Sequence, residues 1–223
     1  MVARSAYARE VEHEMIPITD PRIEEYLMRL APEEDPALLS MERRARELEF
    51  PIVDRLVGRL LYLLTRLKQP RLVVELGSGF GYSAWWFARA ISITGKVVMT
   101  DHSPTNIAYG RSMFQETGLI DRLDFRVGDA LEIGREYHNI DILFIDLDKH
   151  QYREAMEAMI PRLAPHALVI ADNALWYGRV IEGEDDAETR GIREFNDFMT
   201  GRRDFFTTIL PLRDGVMLSY RLS

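Results

Sequence analysis

Short runs of apolar residues alternate along this chain with stretches in which apolar residues recur every three or four positions. The short runs are typical of strands buried on both faces, and the longer spacing is typical of helices with one buried face. Alternation of this kind predicts the α/β class, a mostly parallel sheet covered by helices on both faces. Five strands of this type are expected, at residues 72–75, 97–99, 123–127, 140–145 and 167–171.

Two further strands are expected near the end of the chain, at Phe205–Leu210 and Val216–Tyr220. Arg213-Asp214-Gly215 between them predicts a tight turn, so the last strand should run antiparallel to its neighbour. The helical spacing predicts the helices of the sheet region at residues 52–67, 84–91, 104–118, 152–163 and 187–201.

Residues 1 to about 50 are predicted to be a helical N-terminal extension of one domain that spans residues 1–223. Asp20-Pro21 predicts a helix start, because aspartate caps helices and proline suits their first turn. Met41–Phe50 is rich in charge and predicts a helix on the surface.

A glycine-rich turn follows the first strand: residues 75–83 read Glu-Leu-Gly-Ser-Gly-Phe-Gly-Tyr-Ser. Such glycines let the backbone turn tightly and let a ligand approach it closely. Tyr82 breaks the dinucleotide spacing, and Glu75 would repel a pyrophosphate but suit an ammonium group. The turn therefore favours S-adenosylmethionine over a dinucleotide, and it resembles the first motif of class I methyltransferases.

Four of the predicted strands end in a carboxylate: Glu75, Asp101, Asp146 and Asp172. The carboxyl ends of parallel strands share one edge of a sheet, where four such charges repel unless a cationic ligand or a metal offsets them. Asp101 lies 26 residues after Glu75, a position suited to hydrogen bonds with ribose hydroxyls.

The remaining expected cofactor contacts come from the turn and from two other loops. Asp129 and Ala130 follow the third strand, where an adenine amino group would be read, although a helix cap explains Asp129 equally well. His102 either packs on the nucleoside or lies in a surface loop. The turn contributes Gly77, Ser78, Gly79, Tyr82 and Ser83. Core packing is an alternative for Tyr82, because Trp85, Trp86 and Phe87 follow it.

Asp146, Asp172 and Asn173 offer three hard oxygen ligands from neighbouring strands. That set suits Mg²⁺, and Mn²⁺ or Ca²⁺ as alternatives. The chain has no cysteine, which excludes a thiolate metal site. Asp148 is a possible further ligand.

The composition of the chain limits the kinds of partner and the cellular location that are expected. The formal net charge of −8 gives no basic footprint for nucleic acid. No apolar run is long enough to span a membrane, and the start of the chain has no signal-peptide core. Glu10, Glu12 and Glu14 argue against a transit peptide. A cytoplasmic location is therefore expected.

Two segments carry a more specific resemblance. Residues 144–149 read Phe-Ile-Asp-Leu-Asp-Lys, and residues 172–178 read Asp-Asn-Ala-Leu-Trp-Tyr-Gly. Together with the glycine turn they resemble the cation-dependent O-methyltransferases typified by caffeoyl-CoA O-methyltransferase and catechol O-methyltransferase. The resemblance extends from Pro51 to Gly215 and implies a Rossmann-like seven-stranded sheet with its last strand antiparallel.

By this resemblance, Asp146, Asp172 and Asn173 would bind the metal, and Asp146 would also reach the cofactor and the reacting atoms. Lys149 would stand near the acceptor hydroxyl and take its proton, and Trp176 would flank the aromatic substrate. The implied reaction is methyl transfer from S-adenosylmethionine to a catechol or a caffeoyl-type phenol. A homodimer is implied by the resemblance alone.

Other functions stay open at this stage. A metal-independent methyltransferase acting on RNA, on protein or on a non-catechol small molecule would ignore a chelator. A catalytically silent nucleoside-binding module would have no need for a hard-metal triad. A nicotinamide-dependent oxidoreductase is disfavoured by Tyr82 and by Glu75.

Overall fold

A seven-stranded sheet forms the centre of the computed structural model, which describes residues 17–115, 117–182 and 186–223. The strand order is β3-β2-β1-β4-β5-β7-β6, and only β7 runs antiparallel to its neighbours. The predicted fold class and the antiparallel last strand are confirmed. The strands are β1 (Leu72–Leu76), β2 (Lys96–Asp101), β3 (Leu123–Val127), β4 (Ile140–Ile145), β5 (Leu163–Ala171), β6 (Phe205–Leu210) and β7 (Val216–Arg221).

Helices cover both faces of this sheet. One hydrophobic cluster joins α2 to α5 with one face, and a second joins α6 to α8 with the other. Neighbouring residues Val73 and Val74 of β1 belong to different clusters, as the alternation of a strand requires. The helices are α1 (Pro21–Arg29), α2 (Pro36–Leu48), α3 (Arg55–Lys68), α4 (Tyr82–Ala90), α5 (Pro104–Gln115), α6 (Ala130–Gly134), α7 (Tyr152–Met159) and α8 (Ala187–Thr200).

Several element bounds differ from the prediction for local reasons. The helix expected from residue 52 begins at Arg55, because the side chain of Asp54 caps it by accepting from the backbone N–H of Val57 at 2.9 Å. Helix α7 ends at Met159 and gives way to a 3₁₀ turn that contains Pro161, which has no N–H to donate. Strand β5 then begins four residues earlier than expected.

The surface helix predicted at Met41–Phe50 corresponds to α2, and only one of its faces is exposed. Helix α2 packs on α4 and buries Leu38, Met41 and Ala45, which recur at helical spacing on one face. Glu42 is also buried, and its carboxylate pairs with Arg55 through two contacts of 2.6 Å.

The start of α1 agrees with the prediction, since Asp20 accepts a hydrogen bond from the backbone N–H of Arg22. Glu10, Glu12 and Glu14 lie outside the described residues. Within the described ranges, no helix is long and apolar enough to cross a membrane.

Candidate active site

The sheet register brings the predicted acidic residues to one edge. The backbone N–H of Asp146 donates to the carbonyl of Leu76 at 2.9 Å, which places the end of β4 beside the end of β1. The N–H of Asp172 donates to the carbonyl of Ile145 at 3.1 Å, which places the end of β5 beside β4. On the other side, Asp101 ends β2 next to β1. The predicted convergence at the carboxyl edge is therefore observed.

The glycine turn packs tightly against the end of β4. Gly77 has a φ of +83°, and a Cβ at this position would lie 2.2 Å from the carbonyl oxygen of Asp146. A side chain is thus excluded both by backbone conformation and by space. The turn and the Asp146 loop are fixed relative to each other through this contact.

Glu75 is a fully buried acid under the turn. Its side chain is 0% exposed, and neither carboxylate oxygen meets the distance and angle of a hydrogen bond to the described residues, although the hydroxyls of Ser78 and Ser83 are close enough to act on its charge. Burial raises the pKa of Glu75 to about 7, the hydroxyls of Ser78 and Ser83 oppose this shift, and the charge of Asp146 adds to it. An unpaired buried carboxylate of this kind is a candidate partner for a cationic ligand group.

A cavity of about 250 Å³ lies beside the turn. Five of the expected cofactor residues line it. One of them, Asp129, also caps α6, because its carboxylate accepts a hydrogen bond from the backbone N–H of Glu132 at 2.8 Å. Three other lining residues, Leu147, Asp148 and Gln151, follow β4, and the sequence prediction did not include them among the cofactor contacts. The expected residues on its wall are Gly77, Asp101, His102, Asp129 and Ala130.

The other turn residues do not line this cavity. Ser78 serves the scaffold, because its Oγ accepts from the backbone N–H of Thr100 at 3.0 Å. Tyr82 is 2% exposed and its hydroxyl donates to Glu42 at 2.9 Å, on the side of a second, larger cavity. Its aromatic neighbours on α4 pack in the core. Gly79 and Ser83 are likewise away from the smaller cavity.

The three expected metal ligands lie together with Lys149. Asp172 is 2% exposed, and its Oδ1 has no hydrogen-bonding partner in the described part of the chain. Burial raises the pKa of Asp172 well above its ordinary value, the charges of Asp146 and Asp214 add to this, and Arg213 opposes it. The amide nitrogen of Asn173 donates to Asp214.

Lys149 is buried at 7% exposure and is held from three directions. Its Nζ lies 3.2 Å from Asp146 Oδ1 and donates to the carbonyl of Leu147 at 2.9 Å and to the hydroxyl of Tyr152 at 3.0 Å. Tyr152 in turn donates to the carbonyl of Asp172 at 3.1 Å. The ring of Trp176 lies 5.5 Å from Nζ, so the two expected substrate residues are neighbours.

Helix α8 anchors the Lys149 loop. One oxygen of Glu188 accepts from the backbone N–H of Lys149 at 2.5 Å, and the other lies 2.5 Å from Nδ1 of His150. Gly191 lets the helix approach, since a Cβ there would lie 2.5 Å from the Cα of His150. The sequence prediction had assigned none of these three residues a role.

Arg213 and Asp214 are site residues that the sequence prediction treated only as a turn. The turn between β6 and β7 is bonded to the segment after β5: the N–H of Leu175 donates to the carbonyl of Asp214, and that of Ala174 to Gly215, both at 2.8 Å. A signal was present, because β6 is parallel to the first five strands and the turn after it must lie at their carboxyl edge.

The second cavity, of about 710 Å³, is bounded on one side by the N-terminal extension. Its walls come from α1, from α2, from the segment before α3, and from three residues of the sheet region, Tyr82, Tyr177 and Arg213. The extension therefore contributes to a cavity that reaches the acidic edge through Arg213, whose Nη1 lies 3.9 Å from Asp172 Oδ2.

A seven-stranded α/β sheet with a glycine turn and an acidic carboxyl edge is an arrangement that binds nucleosides at the carboxyl ends of its strands. Comparison with known proteins narrows the class further. The chain belongs to the O-methyltransferase family, whose model matches residues 37–222.

Three similar proteins illustrate the family. A methyltransferase structure from Geobacter sulfurreducens is 51% identical with a TM-score of 0.83, covering 93% of this chain and all of that one. The O-methyltransferase TomG from Streptomyces achromogenes, solved in complex with S-adenosylmethionine, is 29% identical with a TM-score of 0.82, covering 91% of this chain and 96% of TomG. A catechol O-methyltransferase from Niastella koreensis is 29% identical over 198 residues, which are 85% of this chain and 90% of that protein.

Proposed function

We propose that this protein transfers a methyl group from S-adenosylmethionine to one hydroxyl of a vicinal-diol phenol, with a divalent cation bound at Asp146, Asp172 and Asn173. The observation that carries the proposal is the buried Asp172, whose Oδ1 lacks a partner at the point where Asn173 and Lys149 converge. Family membership supports methyl transfer to oxygen. The bound donor in TomG and the catechol enzyme from Niastella koreensis support the choice of donor and acceptor.

The smaller cavity suits S-adenosylmethionine, which carries a sulfonium and an ammonium group and no phosphate. Asp101 on its wall is placed to accept hydrogen bonds from ribose hydroxyls. Glu75 supplies a buried carboxyl group beneath the turn, and a cationic ligand would favour its ionised form where a pyrophosphate would oppose it. Asp129 and Ala130, which also line this cavity, would contact the adenine.

The oxygen atoms at the acidic edge suit a hard divalent cation. The carboxylates of Asp146 and Asp172 supply two negatively charged ligands. The amide nitrogen of Asn173 is occupied by Asp214, which leaves the amide oxygen as the ligand atom. When bound, Mg²⁺, Mn²⁺ or Ca²⁺ would lower the pKa of the acceptor hydroxyl toward neutrality.

The chain's own residues would then hold the acceptor and move its proton. As a neutral amine, Lys149 Nζ would take the proton from the reacting hydroxyl, and its 3.2 Å contact with Asp146 supports this role as general base. Tyr152 fixes the position of this Nζ through a 3.0 Å hydrogen bond. Trp176 presents its ring next to Lys149 and would flank the aromatic acceptor. Most of the rate acceleration would come from holding donor and acceptor in line, which contributes on the order of 7–11 kcal/mol.

A comparison of three phenolic acceptors tests this function. Purified protein with Mg²⁺ and labelled S-adenosylmethionine is offered catechol, resorcinol and phenol. All three have a phenolic hydroxyl, but only catechol has a second hydroxyl on the adjacent carbon. Transfer to catechol alone is expected, because only two adjacent oxygens can bind the same cation together. Equal transfer to resorcinol would contradict the vicinal-diol requirement while keeping methyl transfer itself.

A small phenolic molecule is thus the proposed partner, and a homodimer is proposed with it. Exposed apolar side chains on α1 and α3, including Ile23, Leu27, Leu63 and Leu67, support a surface that a second copy would cover. Sedimentation equilibrium of the purified chain measures the state directly. A monomer at micromolar concentration would contradict the dimer without affecting the proposed reaction.

A further inference from the structure

Arg213 stands between the acidic edge and the larger cavity. Its Nη1 donates to the backbone carbonyl of Ile52 at 2.7 Å and lies 3.9 Å from Asp172 Oδ2. The same side chain forms part of the wall of the 710 Å³ cavity. One cation therefore faces both an expected metal ligand and the larger cavity, which adjoins the acidic edge and would hold the acceptor.

Most of the guanidinium's hydrogen-bonding capacity is available to a ligand. A guanidinium carries five N–H groups, and only Nη1 makes a hydrogen bond to the described residues. Nε and Nη2 are not among the buried atoms that lack a partner, and the side chain keeps 23% exposure. These two nitrogens therefore keep solvent-accessible surface, on a side chain that lines the larger cavity.

The backbone at Arg213 is strained. Its φ is +53°, in the left-handed region that glycine adopts without cost. Asn173, Trp176 and Tyr177 share this conformation, with φ values of +58°, +46° and +55°, and all belong to the loop bonded to the same turn. Strain of this kind is concentrated at binding and catalytic sites, where the surrounding structure holds it in place.

Two other arginines of the larger cavity, Arg55 and Arg29, are less suited to bind an anion near the acidic edge. Arg55 is neutralised by the carboxylate of Glu42 through two contacts of 2.6 Å. Arg29 lies on α1 at the outer wall, 3.8 Å from Glu25. Arg213 is the cation of this wall that touches Asp172.

Resting on the proposed function, we propose that Arg213 is an anion-recognition residue that selects acceptors carrying a carboxylate on the ring carbon next to the diol, as in 2,3-dihydroxybenzoate. Guanidinium and carboxylate groups match in charge and in planar geometry, so the pair is a strong and directional contact. Because Arg213 is next to Asp172, it would meet the edge of the ring nearest the diol. A carboxylate across the ring, as in 3,4-dihydroxybenzoate, would lie beyond this contact.

Calorimetric binding tests the proposal without relying on turnover. The protein is loaded with Mg²⁺ and S-adenosylhomocysteine and titrated with 2,3-dihydroxybenzoate, 3,4-dihydroxybenzoate and catechol. Wild type is expected to bind the 2,3-isomer about tenfold more tightly than the other two, the minimum for one charge-assisted pair. In R213Q this preference should fall to less than about twofold. R43Q removes an exposed arginine elsewhere on α2 and should keep the preference.

A second variant separates recognition from a purely structural role. R213G relieves the strained backbone and should fold even if R213Q does not. It removes a cation next to Asp172, so Mg²⁺ should bind more tightly while the 2,3-isomer loses its advantage. If Arg213 served only as a structural counter-ion, R213G would weaken the binding of Mg²⁺ and of all three acceptors together. That result overturns the proposal.

Three further results overturn it: equal affinity for the three ligands in wild type, no binding of any of them, or an undiminished preference in R213G. Failure of the proposed function is seen separately, as binding and methyl transfer that ignore EDTA.

Discussion

The side-chain nitrogen of Lys149 lies 3.2 Å from Asp146 Oδ1, so the proposed base and a proposed metal ligand are in direct contact. The two residues belong to one short loop after β4, and α8 anchors that loop through the carboxylate of Glu188. A proton taken from an acceptor held at Asp146 would therefore travel only a short distance to Nζ. This contact is the basis of the first prediction.

Replacing Lys149 by methionine keeps the length of the side chain and removes the base. Turnover of catechol should fall by about a hundredfold or more, the usual share of a positioned general base. Calorimetric binding of S-adenosylmethionine should change little, because Lys149 is not on the wall of the smaller cavity. K68M on α3 is the matched control and should keep wild-type turnover. Near-normal turnover in K149M would remove Lys149 from the reaction.

Asp172→Asn keeps the shape of the expected ligand and removes its charge. Mg²⁺ binding, measured by calorimetry, should be lost or strongly weakened, and methyl transfer should be lost with it, since the cation prefers anionic oxygen. Binding of S-adenosylmethionine should persist. D197N makes the same change at an exposed site on α8 and should leave Mg²⁺ binding and methyl transfer intact. Unchanged Mg²⁺ affinity in D172N would contradict the proposed triad.

Gly77→Ala tests the tight contact between the glycine turn and the Asp146 loop. The new Cβ would lie 2.2 Å from the Asp146 carbonyl, so binding of S-adenosylmethionine should be severely reduced or the fold destabilised. G118A is closely matched, because Gly118 also has a positive φ, of +70°, but nothing lies within 4 Å of the added carbon. G118A should lose only about 1 kcal/mol of stability and keep binding. Equal effects of the two changes would mean that backbone strain alone matters.

Burial of Glu75 predicts a pH dependence of stability in the metal-free protein. Its pKa is raised from 4.5 to about 7, so folding favours the protonated acid. The stability it contributes is fully present below pH 4.5 and is lost as the pH rises through about 7. Relative to wild type, E75Q should therefore gain about 3 kcal/mol of unfolding free energy between about pH 4.5 and about pH 8.

Urea unfolding at the two pH values measures this difference. E47Q, on the exposed face of α2, is the control and should follow wild type at both. Parallel pH profiles of wild type and E75Q would show that Glu75 is not desolvated as described.

The sequence predicted the fold well because the elements have strong local signals. The apolar runs of β1 and β4 and the glycine turn specify strands and a ligand-facing edge without tertiary information. Asp146, Asp172 and Asn173 were identifiable because parallel strands must bring their carboxyl ends together.

The parts that the sequence did not predict depend on long-range contacts. The buried face of α2 was obscured by its charges, since the burial of Glu42 depends on Arg55 and Tyr82, 13 and 40 residues away. The role of Arg213 rests on a hydrogen bond to Ile52, 161 residues away, and on a turn that looks like an ordinary hairpin in sequence. Residues whose partners lie this far along the chain leave no local pattern.

Chelation tests whether the acidic edge works through a bound cation. Protein treated with EDTA and then freed of it is assayed for methyl transfer from labelled S-adenosylmethionine to catechol, before and after Mg²⁺ is added. Transfer is expected to be lost on treatment and restored by Mg²⁺ in wild type, and not to be restored in D172N. Full transfer by the chelated wild-type protein would contradict the metal-dependent mechanism and leave a methyltransferase that acts without the triad.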